Sequence, residues 1–112
     1  MGDVLETQKT PQILKAVELN LYLGELYTKM LGEITYRQYP ELDLTYREFR
    51  MCLIELYMLV RNEKEVRDFK IFRKLKQWKG SKYNPNRVVD YANDALNLYA
   101  ELSSILIRNK IL

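Results

Sequence analysis

The chain has no histidine and a single cysteine, Cys52, and these two shortages remove much protein chemistry at once. Zinc sites built from cysteine and histidine, Ser-His-Asp triads and Cys-His dyads cannot be assembled within one such chain. The di-iron sites of helical bundles need Glu-x-x-His pairs, which are equally impossible. Glycine is scarce too: the four are Gly2, Gly24, Gly32 and Gly80, and none belongs to a phosphate-cradling loop. No apolar run approaches the ~18 residues that a membrane span requires. The opening MGDVLETQKT has neither the basic start nor the apolar stretch of a secretory signal. Glu6 stands where N-myristoylation needs Ser or Thr. Cys52 lies in an apolar run, so a small core residue is expected there, in a chain suited to the cytoplasm.

Two carboxylate pairs do occur, Glu18 with Glu25 and Glu48 with Glu55, each seven residues apart on an expected helix. That spacing is common on solvated faces, and no companion group points to acid–base work. The nine tyrosines include none beside an evident base. The expectation is therefore a protein that is not an enzyme, with no cofactor, no metal and no small-molecule substrate.

What the chain does have is charge, unevenly placed. The first 66 residues hold 8 basic and 11 acidic side chains, a formal −3, whereas those from Arg67 onward hold 10 and 4, or +6. Between Arg67 and Arg87, RDFKIFRKLKQWKGSKYNPNR, eight Lys or Arg residues face one acid, Asp68. A dense positive segment favours a polyanion, because each neutralised phosphate releases condensed counterions. The candidate phosphate contacts are Arg67, Lys70, Arg73, Lys74, Lys79, Lys82 and Arg87. Aromatic rings are interleaved with them, and Trp78 and Tyr83 are placed to stack on unpaired bases. Two plainer readings stay open: a patch that docks an acidic protein, and a solvated helix face.

The apolar pattern is helical throughout, and at this length it makes one domain, all-α, a small bundle of four helices or of three. Residues 1–9 are expected to be disordered. Thr10 and Pro11 supply an N-cap and a first helical residue. Ile13, Val17, Leu19, Leu23, Leu26, Met30 and Ile34 follow as a stripe wide enough for more than one neighbour. Pro40 predicts a connection over 35–43. A second helix is expected from Asp43 or Thr45, since Thr45 and Glu48 have capping-box spacing. Phe49, Cys52, Leu53, Leu56, Tyr57 and Val60 form its inner face; Asn62 is the expected break, and a continuous helix through to Trp78 is the alternative, since neither Gly nor Pro interrupts it.

A third helix, at about 64–79, would carry Val66, Phe69, Phe72 and Leu75 opposite Arg67, Lys70 and Lys74. Asn84 and Pro85 open the last, in which Val88, Ala92, Ala95, Tyr99, Leu102 and Leu106 make a heptad seam. Tyr91, Leu98 and Ile105 form a second stripe beside it, for a wider core or for a neighbouring subunit.

Three segments of this pattern, in order, resemble the small all-helical subunit of type III CRISPR effector complexes. KTPQILKAVELNLYLGELY, with Leu14 and Lys15, resembles that family's first helix. LIELYMLVRNEKEVRDF, with Tyr57, Arg61, Val66 and Phe69, resembles its central segment. VVDYANDALNLYAEL, with Asp90, Tyr91 and Tyr99, resembles its closing helix. The resemblance implies a non-catalytic subunit of a ribonucleoprotein that touches guide–target nucleic acid without reading its sequence. It adds Arg61, at the position of the family's arginine, to the candidate contacts. Two expectations follow. One is a helical subunit that binds nucleic-acid backbone, RNA in preference to DNA, beside other protein subunits or further copies of itself. The other is an adaptor or viral inhibitor whose patch docks an acidic partner, with the tyrosine-rich last helix as its anchor.

Overall fold

A computed structural model describes residues 11–63, 66 and 85–112 of the 112-residue chain. Among these residues every regular element is helical: α1 (Pro11–Thr35), α2 (Tyr39–Val60), a short 3-10 turn (Pro85–Arg87) and α3 (Val88–Arg108). The third helix expected at about 64–79 and the disorder expected over 1–9 lie outside the described residues, Val66 apart.

Helix α1 begins at Pro11, as the Thr10–Pro11 pair predicts, because proline in a first turn forgoes only an amide that would have no partner there. It ends in a Schellman motif. Gln38 N donates to the Glu33 carbonyl at 2.8 Å and Arg37 N to that of Ile34 at 3.2 Å, with Arg37 left-handed at φ 55°. The same device closes α3: Ile111 N reaches the Leu106 carbonyl at 2.8 Å and Lys110 N that of Ile107 at 3.0 Å, with Lys110 at φ 58°. At both ends a cation takes the position usually given to glycine and complements the negative end of the helix dipole.

The start of α2 differs from the sequence expectation. The helix opens at Tyr39, with Pro40 in its first turn, so only residues 36–38 separate it from α1. Thr45 is therefore not an N-cap. It lies within the helix, buried, its hydroxyl 3.0 Å from the Glu41 carbonyl and 3.0 Å from Glu33 Oε2. Among the described residues its backbone partner is the carbonyl one turn back, as expected of a threonine inside a helix. At the other end α2 stops at Val60, and Arg61 and Asn62 turn away, as expected.

The three α-helices share one core. Leu19, Leu23, Leu26 and Met30 of α1 meet Leu42, Phe49, Leu53 and Leu56 of α2 and Ala92, Ala95, Leu102 and Leu106 of α3. Short loops make α1 and α2 antiparallel: Gln12 Nε2 donates to the Leu59 carbonyl at 2.7 Å near one end, and Glu33 meets Thr45 near the other. Helix α3 runs alongside α2 in the same direction, with Tyr46 and Tyr91 stacked at 6.1 Å between ring centroids. At the centre, the rings of Tyr99 and Phe49 make a T-shaped pair at 5.6 Å between centroids, and Tyr99 donates to the Asn20 carbonyl at 3.1 Å. A Cβ on Gly24 would stand 3.4 Å from the Tyr99 hydroxyl, which places this glycine where α1 and α3 come close.

Both stripes of α3 are used in packing. Leu98 is buried, and Tyr91 and Ile105 pack against the core. The aromatic second stripe therefore belongs to a wider core.

Candidate nucleic-acid interface

Of the candidate contacts, Arg61 and Arg87 are described; Arg67, Lys70, Arg73, Lys74, Lys79, Lys82, Trp78 and Tyr83 lie outside the described residues. Arg61 sits just beyond α2, exposed, with Nη1 3.7 Å from the Met58 sulfur. Arg87 occupies the N-cap position of α3, without a capping hydrogen bond from its side chain. Its Nε is 3.5 Å from Asp90 Oδ2, and its guanidinium carbon lies 5.7 Å from the centroid of the Tyr91 ring. The ring and the carboxylate hold the guanidinium near one place while leaving it open to solvent, since cations rest favourably over aromatic faces.

The topology sets these two arginines far apart. Helices α2 and α3 run the same way, with Tyr46 level with Tyr91. Arg61 is then about 22 Å beyond that level and Arg87 about 6 Å before it, at 1.5 Å of rise per residue. The chain leaves α2 at one end of the bundle and enters α3 at the other, so the basic segment joins ends roughly 28 Å apart. It is flanked by apolar anchors on both sides. Val66, the residue before Arg67, is fully buried, and Val88, the residue after Arg87, is buried too.

No protein-family profile, characterised protein or solved structure matches this chain.

Beside Arg87 an open cleft of about 540 Å³ lies between the starts of α2 and α3, lined by Tyr39, Pro40, Asp43, Asn86, Val88 and Val89. Among the described residues that line it the one carboxylate is Asp43, ion-paired to Arg47 at 3.2 Å. Among the described residues no three His, Cys, Asp or Glu side chains are grouped to hold a metal, and no helix is long and apolar enough to cross a membrane.

The tyrosines of α3 turn inward rather than outward. Tyr91 stacks on Tyr46, and Tyr99 lies between Phe49 and Tyr27, whose centroid is 5.9 Å away. Burial raises Tyr46 to about 12 and moves Tyr99 in the same direction, so both stay protonated as packing groups. An adaptor anchored on these rings would have to unpack them first. Cys52 is half-buried against the core, its thiol pushed up by burial and then by Glu48 and Glu55.

Sequence reasoning passed over the polar seam between α1 and α2. Tyr22 donates a hydrogen bond to Glu48, Lys15 pairs with Glu55 at 3.8 Å, and Glu48 first of all raises Tyr22 to about 12. The seven-residue spacing of Glu48 and Glu55 was the available signal, but it names no partner until α1 is laid antiparallel against α2.

Proposed function

We propose that this protein is a non-catalytic helical subunit that binds nucleic-acid backbone through the segment from Arg67 to Arg87. The observation that carries the reading is the concentration of eight cations against one acid in a segment tethered between two buried valines. A segment that starts and finishes at levels of the bundle about 28 Å apart has room to meet several phosphates along one strand. Phosphate contacts give affinity without base information, so little sequence preference is expected. Arg61 and Arg87 extend the contact at its two ends. Trp78 and Tyr83 favour unpaired strands, on which flat rings stack, and RNA is the expected ligand. The likeness to type III CRISPR small subunits supports a place within a larger ribonucleoprotein.

The test is fluorescence anisotropy with labelled single-stranded RNA, single-stranded DNA and duplex over a series of salt concentrations. Binding should weaken steeply with salt and vary little with sequence. Lys70→Ala combined with Lys74→Ala should lower the slope of log K against log salt by about 1.4, at ~0.7 for each lost contact to a single strand. An unchanged slope would remove these lysines from the interface. Absence of binding to all three probes at low salt would defeat the proposal.

A further inference from the structure

The described residues include ten large hydrophobic side chains that remain exposed, and five of them lie on one face. Leu44, Met51 and Met58 follow one another at seven-residue spacing along α2, exposed to 69 %, 69 % and 40 %. Leu14 and Leu21 do the same on α1, at 53 % and 67 %. Seven residues are nearly two full helical turns, so each set forms a straight ridge. Helical phase puts both ridges on the same side of the α1–α2 pair. On α1, Lys15 and Tyr22 point to α2 while Asn20 and Gly24 point to α3, and Leu14 and Leu21 lie on the side away from α3. On α2, Glu48 and Glu55 point to α1 while Tyr46 and Phe49 point to α3, and the methionine ridge again lies on the side away from α3.

The valley between the ridges is acidic. Glu48 and Glu55 border it from α2, and Glu18 and Glu25, at the matching spacing, from α1. Their proximity is felt by Tyr22, on which Glu48 and Glu25 both act, and by Cys52, on which Glu48 and Glu55 act. Against these four carboxylates stand Lys15, already paired with Glu55, and Lys29, while Arg61 lies at the Met58 end of the ridge. This face is thus opposite in sign to the segment from Arg67 to Arg87, and nucleic acid is repelled by it.

We infer that the outer face of the α1–α2 pair docks a cationic amphipathic helix of a partner protein. Helices pack 8–10 Å apart, so a third helix laid along the valley meets both ridges at once. Its Lys and Arg residues fall between Glu18, Glu25, Glu48 and Glu55, and its apolar residues rest on Leu21 and Met51. Flexible methionines suit this role, since they adapt to the partner's shape. A polyanion fails on charge, and a purely apolar helix leaves the carboxylates stranded. This surface borders the proposed nucleic-acid interface at Met58, whose sulfur lies 3.7 Å from Arg61 Nη1, but it does not rest on that proposal.

The experiment titrates the full chain into three labelled peptides of 18 residues: a Leu/Lys helix whose one face carries a lysine stripe between two leucine stripes, its Leu/Glu counterpart, and oligolysine. The Leu/Lys helix should bind at least about tenfold tighter than either of the others, because it alone satisfies both ridges and valley. Leu21→Asp with Met51→Asp should weaken it about tenfold or more, and so should Glu18→Lys with Glu25→Lys. All four positions are exposed, so the variants should keep the far-ultraviolet circular dichroism of the parent. Equal binding of oligolysine would reduce the face to unspecific electrostatics and overturn the inference. So would an undiminished affinity in both variants, or no binding of the Leu/Lys helix. A concentration-dependent dimer in light scattering that the same substitutions abolish would make the occupant a second copy and overturn it as well.

Discussion

Phe49→Ala should cost about 3–5 kcal/mol of folding stability, the largest loss expected from any single truncation among the described residues. Phe49 is fully buried and is the largest side chain in that state. It stands where all three α-helices meet: on α2, against the Tyr99 ring of α3, which itself bonds the backbone of α1 at Asn20. Removing the ring opens a cavity and also loosens the tyrosine that ties α3 to α1, since an aromatic pair contributes about 0.5–1.5 kcal/mol beyond its buried area. A small domain has only 5–15 kcal/mol in all, so the variant should be partly unfolded at 37 °C. Urea titration followed by circular dichroism measures the shift in midpoint, and Phe49→Leu, with its smaller void, should fall between parent and alanine variant. A loss below about 1 kcal/mol for alanine would mean that the three helices do not converge on this ring.

The second large effect is expected at the buried polar pair. Glu33 is 4 % exposed, and its Oε2 takes the Thr45 hydroxyl at 3.0 Å, while Oε1 is buried with no hydrogen-bond partner among the described residues. Thr45→Val keeps the shape and deletes the donor, leaving the glutamate side chain buried without it. A loss of about 2–3 kcal/mol is expected, since an unsatisfied buried group bears its whole desolvation penalty. Glu33→Met in the same background should restore most of it, because replacing both partners by apolar groups of similar shape is nearly neutral. The full double-mutant cycle is the check, with thermal or urea unfolding as readout. If Thr45→Val and Glu33→Met simply add, the two side chains do not depend on each other, and the pair is only an accident of packing.

This pair also shows what could and could not be read in advance. The spacing Thr45-x-x-Glu48 is that of a capping box, and Pro40 stands close before it, so local pattern placed the start of α2 near Thr45. Proline is equally at home in a first turn, and the true start lies six residues earlier, at Tyr39. The residue that explains Thr45 is Glu33, twelve positions away on another helix, and no local pattern contains it. The stripe from Leu19 to Met30, the stop after Val60 and the seam from Val88 to Leu106 were legible, because their periodicity directly records burial. So was the charge of the segment from Arg67 to Arg87, which needs only counting. The distance it bridges was not, since that depends on α3 running the same way as α2. The acidic valley was hidden for a similar cause: Glu18, Glu25, Glu48 and Glu55 become neighbours only when α1 and α2 are laid antiparallel.

The route of the chain also carries a consequence for the order in which the molecule assembles. Helices α1 and α2 are joined by three residues, so their contacts close short loops, whereas the bond from Tyr99 to Asn20 spans 79 positions. Closing the longer loop costs more entropy, and contacts of low sequence separation form first. The α1–α2 hairpin should therefore be the nucleus, with Leu26 and Leu53 giving higher φ-values than Leu102 and Leu106. In a growing polypeptide the hairpin is complete before α3 has been made, with its inner apolar surface still waiting for the last helix. Helix α3 is then the closing piece: weakening it should speed unfolding more than it slows folding.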